Sequence, residues 1–289
     1  MVLLKRGGET VIGEESPLRY QLASVSKQFT AAAMLLLAQD GLLHLDDPLG
    51  RWIPGWPGVT LHHLLAHTSG IGHWHDYPMI DLGARMEPAE LVETFRSVPP
   101  LFAPGARWAY SSPAYVLAAH VVERVAGTPY REFLDRRIFV PAGLAGTFAG
   151  SPGDRGDIAP GHDASGAPVP SWELDVVGMG AGDVWSTTAD MVTWMDVLRA
   201  GGLLHEPWRT LMLTERATTG MDDERSRGYG YGWFVGAYEG EPWFQHSGDN
   251  AGYKSFAACL PETDRRLVIL ANTDAMDVAS MLEVMRALL

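Results

Sequence analysis

The spacing of apolar residues changes twice along this chain of 289 residues, and no other feature constrains the fold as strongly. The first residues form a short pattern with Gly7-Gly8 near its middle, which predicts a hairpin. The middle of the chain repeats apolar residues at helical spacing, most clearly over residues 24–39 and 188–200. From residue 225 onward, aromatic and β-branched runs separated by turns predict an antiparallel meander, and residues 276–289 form an amphipathic helix.

Strands at both ends of the chain and helices between them predict an α+β fold, in which an antiparallel sheet from both chain ends is flanked by helices. Residues 1–45 and 225–289 are expected to form this sheet lobe, and residues 46–224 a mostly helical inserted lobe. A chain of this length buries about three quarters of the surface that it exposes when unfolded, so a sizeable core is available. We expect one catalytic unit with its site in the cleft between the lobes.

The composition restricts the classes of partner. Hydrophobic residues make up 46% and charged residues 20%, which is typical of a globular chain. The 22 basic and 35 acidic residues give a formal net charge of −13, so neither nucleic acid nor an anionic membrane surface is an expected partner. No apolar run reaches the roughly 18 residues of a membrane span. The first apolar residues precede the first basic ones, the reverse of a signal peptide, so a cytoplasmic location is expected.

Cysteine and histidine are the candidates for metal chemistry. Cys259 is the single cysteine, which precludes an internal disulfide and a cysteine metal cluster. His63 and His67 are spaced i, i+4, as on a zinc-binding helix, but the glutamate that follows the first histidine of a zinc protease is absent. The run His73-Trp74-His75-Asp76 is not followed by a further histidine, as a metallohydrolase run would be. We therefore expect neither a metal nor an organic cofactor.

The segment Ser24-Val25-Ser26-Lys27 begins the first predicted helix and combines a nucleophile with a base. Residues three apart on a helix lie on the same face, so the Ser24 hydroxyl and the Lys27 amine can meet. A lysine can activate a serine when burial lowers its pKa towards neutrality, and the N–H groups of a helix start suit a developing oxyanion. The alternative is an N-cap serine beside a solvated lysine, and the motif alone favours that alternative because so short a pattern often arises by chance.

Two further polar motifs reverse this preference. Tyr110-Ser111-Ser112 precedes a helix, and His246-Ser247-Gly248 ends a strand that is expected beside the first helix. Together with residues 23–37, Leu64–Gly70 and Gly182–Thr187, these motifs closely resemble the penicillin-binding-protein and class C β-lactamase-like superfamily of serine hydrolases. The likeness runs through nearly the whole chain, with the motifs in the expected order.

The resemblance implies a role for each motif. Ser24 is the residue that becomes acylated, Lys27 belongs to its base system, and Tyr110 moves the proton between nucleophile and leaving group. The third motif lines the cleft and contributes His246 as a further catalytic residue, and the backbone N–H groups of Ser24 and Asp249 form the oxyanion hole.

The resemblance also implies which residues contact the substrate. It places His73 and Trp74 on a loop near the acyl pocket, and Ser112, Ser247 and Gly248 beside the bound substrate.

Two positions depart from the superfamily pattern. The second motif usually ends in asparagine, and Ser112 keeps an N-cap before Pro113 but lacks the two-donor amide. The third motif begins with His246 where the best-known β-lactamases have lysine, so we expect a group that titrates near neutral pH instead of a fixed cation. Both departures point away from efficient β-lactam hydrolysis.

The sequence therefore predicts a serine hydrolase that forms an acyl-enzyme on Ser24 with a small-molecule acyl substrate, and a carboxylic ester is the expected substrate. Several alternatives remain: a D-amino-acid peptidase or carboxypeptidase, a weak β-lactamase, an acyltransferase, and a catalytically impaired homologue that only binds. Pocket shape decides among them, and it depends on loops whose course the sequence does not predict.

The N-terminal segment is expected to be short, since only one hairpin precedes Ser24. By the resemblance, a helix and a fuller strand pair usually come before the nucleophile. We therefore predict that the helix over residues 276–289 covers the outer sheet face with less help than usual, leaving apolar surface that a second subunit could bury in a homodimer.

Overall fold

The computed structural model describes residues 1–13, 16–172 and 174–288, and its largest element is an antiparallel sheet of eight strands. The strands are β1 (Val2–Arg6), β2 (Glu9–Ile12), β3 (Tyr20–Gln21), β4 (Phe148–Ala149), β5 (Val184–Ser186), β6 (Ala217–Thr218), β7 (Gly228–Tyr229), β8 (Phe234–Tyr238), β9 (Glu241–Asn250), β10 (Tyr253–Leu260) and β11 (Arg265–Ala271). The helices are α1 (Lys27–Gln39), α2 (Leu61–Leu65), α3 (Pro88–Ser97), α4 (Ser112–Ala126), α5 (Tyr130–Leu134), α6 (Val140–Ala142), α7 (Asp175–Gly178), α8 (Thr188–Ala200), α9 (Trp208–Leu213) and α10 (Val278–Leu288).

The large sheet has the strand order β2-β1-β11-β10-β9-β8-β7-β6, so strands from both ends of the chain lie side by side. β1 pairs with β11, with Leu3 opposite Val268. Glu239 and Gly240 connect β8 to β9 with positive φ values of 52° and 84°, as the two-residue turns that suit a twisted hairpin require. The predicted α+β fold, with an antiparallel sheet built from both chain ends and flanked by helices, is confirmed.

Helices cover both faces of this sheet. One face contributes Ala257 and Val268 to the main core, which also contains α1 and α8. The opposite face packs against α10, and there Trp243, Phe256 and Ile269 are fully buried. The three sequence motifs lie on the side of α1, so α10 packs on the sheet face opposite to them.

The outer face is where we predicted uncovered apolar surface for a second subunit. The described residues of α10 bury Met281 and Met285 against it. At the edge formed by β1 and β2, Val2 and Ile12 are only partly buried. The homodimer stays a prediction, and the partly covered apolar residues that it would use lie at this edge.

α1 is apolar around its whole circumference, which explains its central position. Every residue from Lys27 to Ala38 is buried, and a helix with apolar residues on all sides needs protein contacts on all sides. The predicted helix over residues 24–39 starts three residues later than expected, because residues 23–26 form a 3-10 turn. That turn carries the candidate nucleophile.

The inserted part of the chain is mostly helical, as predicted, but several short elements were not predicted. The small sheet β3-β5-β4 consists of strands too short to show a pattern, and α9 lacks a clear periodicity. β6 joins the large sheet although residues 217–218 fall within the range predicted for the helical lobe, and the lobe boundaries stay a prediction. None of the helices in the described part of the chain has the length and apolar character needed to cross a membrane.

Candidate active site

Ser24 lies in the tight 3-10 turn that precedes α1. Ala23 has a φ of 45°, in the left-handed region that residues with a Cβ rarely adopt. The Leu22 N–H donates to the Val184 carbonyl at 2.8 Å, which ties the start of the turn to β5. Residues three apart nearly eclipse each other in a 3-10 turn, so the half-buried Ser24 points the same way as Lys27.

The Lys27 amine joins three parts of the chain and is fully buried. Its Nζ lies 2.9 Å from Ser24 Oγ, 3.0 Å from Ser112 Oγ and 2.9 Å from the Ala181 carbonyl oxygen. The Ala181 carbonyl can only accept a hydrogen bond, and the Ser112 hydroxyl can accept another. The three oxygens surround the amine, so its ammonium form can donate a hydrogen bond to each of them.

Ser111, and not Ser112, caps α4, which corrects the expectation from sequence. Ser111 Oγ accepts the Ala114 N–H at 3.1 Å and donates to the Gly72 carbonyl at 2.8 Å. Ser112 is the first residue of α4, and its side chain contacts Lys27 instead of capping the helix. The serine that was expected to cap the helix therefore contacts Lys27 instead.

Tyr110 is held beside Lys27 by rings from several elements. Its ring centroid lies 5.0 Å from Lys27 Nζ, 4.4 Å from the centroid of His67 and 5.4 Å from that of His73. The ring of Phe234 in β8 stacks parallel to it at 6.5 Å. The structure thus brings Ser24, Lys27 and Tyr110 to one place.

Two histidines hold the second motif by its backbone. His67 Nδ1 accepts the Ser111 N–H at 3.1 Å, and His73 Nδ1 accepts the Ser112 N–H at 3.2 Å. Both bonds need a lone pair on Nδ1, so both rings are neutral. Burial, reinforced by the charge of Lys27, lowers the pKa of His73 to about 4 and the pKa of His67 well below its usual value.

His246 is neutral, which corrects the expectation of a group that titrates near pH 7. Its Nδ1–H donates to the Ser247 carbonyl at 2.7 Å, so its Nε2 accepts from the Tyr229 hydroxyl at 3.1 Å. Burial, and next the charge of Lys27, lower the pKa of His246 to about 3. The ring is 1% exposed, and this enclosure cannot be seen in the motif itself.

The third motif continues along a strand edge that faces the nucleophile turn. β8 pairs with β9 only as far as Phe234 opposite Gln245, so residues 246–250 extend past it. On that stretch a Cβ at Gly248 would lie 2.2 Å from the Leu22 carbonyl oxygen. Only glycine allows the strand to approach the turn so closely.

Ser247 and Asp249 lie on the face of β9 opposite to that of His246 and Gly248. Ser247 is half-buried, whereas the Asp249 side chain is 62% exposed. Lys254 Nζ lies 2.8 Å from Asp249 Oδ1 and 2.5 Å from Asp274 Oδ1, and these two carboxylates raise the Lys254 pKa against the effect of burial. The use of the Ser24 and Asp249 N–H groups as an oxyanion hole stays a prediction.

Two further sequence candidates are Trp74 and His63, and the Trp74 ring centroid lies 6.3 Å from that of His73. Trp74 packs against Phe95 of α3, with ring centroids 5.9 Å apart, and its contact with substrate stays a prediction. His63 completes a capping box with Thr60 at the start of α2. His67 follows the end of α2 with a φ of 57°, so it does not share a helical face with His63.

The glycine-rich segment before β5 contains Ala181 and Asp183, to which the sequence analysis assigned no role, although Gly182–Thr187 contributed to the resemblance. Ala181 supplies a carbonyl to Lys27, and the buried Asp183 accepts the Gly180 N–H at 3.0 Å. A Cβ at Gly180 would lie 2.6 Å from Ala119 Cβ, so the segment packs against α4 more closely than a residue with a side chain would allow. Burial raises the pKa of Asp183 to about 7. The sequence signal for this close approach is the spacing of glycines at every second residue.

Comparison with known proteins agrees with this geometry. A family model described as Beta-lactamase matches residues 16–289. Esterase EstB from Burkholderia gladioli is 31% identical over 258 residues, which cover 74% of this chain and 65% of EstB. The chain spans 33%, 65% and 55% of the lengths of three curated relatives that it matches.

Solved structures show the same fold. A penicillin-binding protein from Bacillus halodurans superposes with a TM-score of 0.87 at 26% identity, over 100% of this chain and 95% of that chain. A D-stereospecific amidohydrolase from Streptomyces sp. superposes with a TM-score of 0.84 at 27% identity, over 98% of this chain and 92% of that chain. The resemblance inferred from the three motifs is confirmed, and the chain belongs to the beta-lactamase family of serine hydrolases.

Proposed function

We propose that this protein forms an acyl-enzyme on Ser24 and hydrolyses carboxylic esters. The observation that carries the ester assignment is the state of His246, an enclosed neutral imidazole with a hydrogen bond at each ring nitrogen. Such a ring offers no positive charge to a substrate carboxylate. A β-lactam, or a peptide bound by its C-terminal carboxylate, therefore lacks an anchor at this position, whereas a neutral ester needs none.

Ser112 supports the same substrate class. An asparagine at this position would present a two-donor amide to a peptide-like group, but the serine hydroxyl lies 3.0 Å from Lys27 Nζ and is engaged there. An ester also releases a better leaving group than an amide does, so its cleavage demands less help from a general acid.

Acylation begins when Ser24 Oγ attacks the ester carbonyl carbon and Lys27, 2.9 Å away, accepts the hydroxyl proton. The Ala181 carbonyl keeps the amine oriented during this transfer. The N–H groups of Ser24 and Asp249 stabilise the oxyanion. Tyr110, beside the lysine, passes the proton to the departing alkoxide, which leaves as the alcohol.

Deacylation repeats these steps with water. Lys27 and Tyr110 take a proton from water as it attacks the acyl group on Ser24, and they return a proton to Ser24 Oγ as the bond to the acyl group breaks and the carboxylic acid leaves. An alcohol or amine that replaces this water would make the reaction an acyl transfer. We place the site in the cleft between the sheet lobe, residues 1–45 and 225–289, and the helical lobe, residues 46–224.

A second candidate function is hydrolysis of D-amino-acid amides. The exposed Asp249 carboxylate lies directly after the third motif, where it can accept the ammonium group of a free amino acid amide. The likeness to the D-stereospecific amidohydrolase from Streptomyces sp. favours this candidate. It predicts that a free α-amino group on the substrate raises kcat/KM, and that Asp249→Asn removes this advantage.

The first experiment tests the nucleophile. We expect a fluorophosphonate probe to add mass to the peptide that contains Ser24, and Ser24→Ala to abolish both labelling and p-nitrophenyl ester turnover. Ser26→Ala is the matched control, because Ser26 lies in the same turn and its Oγ accepts the Val184 N–H. Retained turnover in Ser24→Ala would contradict the proposed function.

The second experiment tests the base and the substrate class. Lys27→Met should lower kcat for p-nitrophenyl esters by about 10²- to 10⁴-fold, the usual effect of a positioned base. One preparation should then be assayed with carboxylic esters, D-amino-acid amides and a chromogenic cephalosporin. The ester proposal requires the highest kcat/KM among these for an ester, and it fails if the cephalosporin or an amide is the best substrate.

A further inference from the structure

Trp172 is a large apolar residue that is 47% exposed, in the long segment between β4 and α7. A single exposed apolar residue needs no special explanation. What distinguishes Trp172 is the way in which its backbone is held and the position that results from it.

Two buried amides converge on the Trp172 carbonyl. Gln21 Nε2 and Asn250 Nδ2 each donate to it at 2.9 Å, and both side chains are buried. The Ser171 hydroxyl donates in turn to Gln21 Oε1. Buried side-chain amides are uncommon, so their use on one surface carbonyl indicates that the position of this residue matters.

The same two amides belong to the two sides of the catalytic cluster. Gln21 Nε2 also donates to the Gly182 carbonyl at 3.1 Å, one residue from the carbonyl that accepts from Lys27. Asn250 directly follows the proposed oxyanion residue in β9. The Trp172 carbonyl is therefore hydrogen-bonded directly to β3, through Gln21, and to β9, through Asn250, and these two strands flank Ser24.

The indole lies against a loop from the helical part of the chain. A Cβ placed on Gly83 would lie 3.8 Å from Trp172 Cδ1. Gly83 belongs to the loop that follows His73, and the same loop exposes 59% of Met79. Trp172 thus adjoins β9 through its backbone and the His73 loop through its side chain.

We propose that the Trp172 indole is a wall of the acyl pocket and selects esters with an aromatic or extended apolar acyl group. The inference rests on the proposed function. The alkoxide departs towards Tyr110 and Lys27, which supply its proton, so the acyl group lies on the side away from them. That side is the end of β9, where Asn250 holds Trp172. An exposed ring face there gains contact area when an apolar acyl group covers it.

The test compares p-nitrophenyl phenylacetate and octanoate with p-nitrophenyl acetate, so that the leaving group stays constant. The wild-type protein should prefer the phenylacetyl and octanoyl esters to the acetyl ester in kcat/KM by about tenfold. Trp172→Ala should lower kcat/KM for the phenylacetyl and octanoyl esters by about tenfold and change the value for acetate less than twofold. Trp172→Phe should keep most of the preference, because it retains an aromatic face.

Leu42→Ala is the matched control. Leu42 is 52% exposed and lies beyond the far end of α1, about 20 Å along the helix from Lys27. It removes an equally exposed apolar side chain, and it should leave all three kcat/KM values unchanged. Thermal unfolding of each variant shows whether the fold is intact.

The outcomes separate this inference from the proposed function. A parallel loss of activity on all three esters in Trp172→Ala, or no loss on any, overturns the inference alone. A wild-type protein that is neither labelled at Ser24 nor active on any ester overturns the proposed function and this inference with it. Ser24 labelling by a phenyl-bearing fluorophosphonate that is slowed about tenfold in Trp172→Ala, with an ethyl analogue unaffected, supports the inference without relying on turnover.

Discussion

Ser24 lies between a helical wall, which consists of the second motif with His67 and His73, and a sheet wall, which consists of the end of β9 with His246. The two walls use histidine in opposite ways. On the helical wall, His67 and His73 accept backbone N–H groups of the second motif through Nδ1. On the sheet wall, His246 donates from Nδ1 to a carbonyl, and its Nε2 faces a tyrosine hydroxyl that can either donate or accept. Protonation of His67 or His73 at Nδ1 would place the new N–H group against the backbone N–H that now donates to it. Protonation of His246 at Nε2 would leave its Nδ1–H bond to the Ser247 carbonyl intact. The helical wall is therefore the acid-sensitive side of the site.

The largest expected effect is acid destabilisation. The pKa values of His67, His73 and His246 are lowered in the folded chain, so the unfolded chain binds more protons below about pH 6.5. The buried neutral histidines therefore contribute fully to the free energy of unfolding above pH 6.5, and this contribution is lost as the pH falls towards 4. For a shift like that of His73, linkage gives a loss of about 2 kcal/mol at pH 5.

Urea unfolding at pH 7.5, 6 and 5 measures this loss. His44→Asn is the control, because the His44 side chain is 72% exposed and its removal should leave the pH dependence unchanged. A free energy of unfolding that does not fall between pH 7.5 and 5 would contradict the neutral state assigned to the buried rings.

The next effect isolates the helical wall. His73→Leu removes the acceptor for the Ser112 N–H, and an unsatisfied buried donor costs about 1–3 kcal/mol. Because Ser112 also contacts Lys27, we expect kcat for ester hydrolysis to fall about tenfold or more. His73→Asn, whose carbonyl oxygen can accept the same bond, should recover stability and part of kcat. Equal behaviour of the two variants would mean that the ring acts by packing and not by its lone pair.

A separate effect, with the opposite dependence on pH, concerns Asp183. Burial raises its pKa to about 7, so the folded chain holds a proton that the unfolded chain loses near pH 4, and stability falls as the pH rises between these values. Asp183→Asn keeps an acceptor for the Gly180 N–H and avoids the buried charge. By the same linkage, we expect a gain of up to about 4 kcal/mol at pH 8 and none at pH 4. A gain of equal size at both pH values would argue against the ionisation of this carboxyl.

The sequence was sufficient to predict the sheet from both chain ends, because strand patterning is a local property. Motif spacing and the family resemblance pointed to Ser24, Lys27 and Tyr110, whose catalytic roles stay predictions. The structure brings these three residues together as the spacing indicated. The cap of α4 was misassigned by one residue, since Ser111 and Ser112 are equally good capping residues by type.

Other features depend on burial, which no local pattern reveals. The charge state of His246 follows from its enclosure beside Tyr229 and Lys27, and those residues come from distant parts of the chain. The Ala181 carbonyl is a backbone group, so its residue type carries no signal. Trp172 could not be singled out from ten tryptophans until the hydrogen bonds to its carbonyl were known.

The union of both chain ends in one sheet has a consequence for biogenesis. The Leu22 carbonyl, beside the nucleophile, accepts from the Ser255 hydroxyl at 2.5 Å, a bond that spans 233 residues. Contacts so distant in the chain form late and slowly. A nascent polypeptide therefore emerges from the ribosome with Ser24 and Lys27 but without the strand that completes the proposed active site. Recovery of turnover after denaturation should consequently report the final pairing of the sheet, later than the recovery of helical signal.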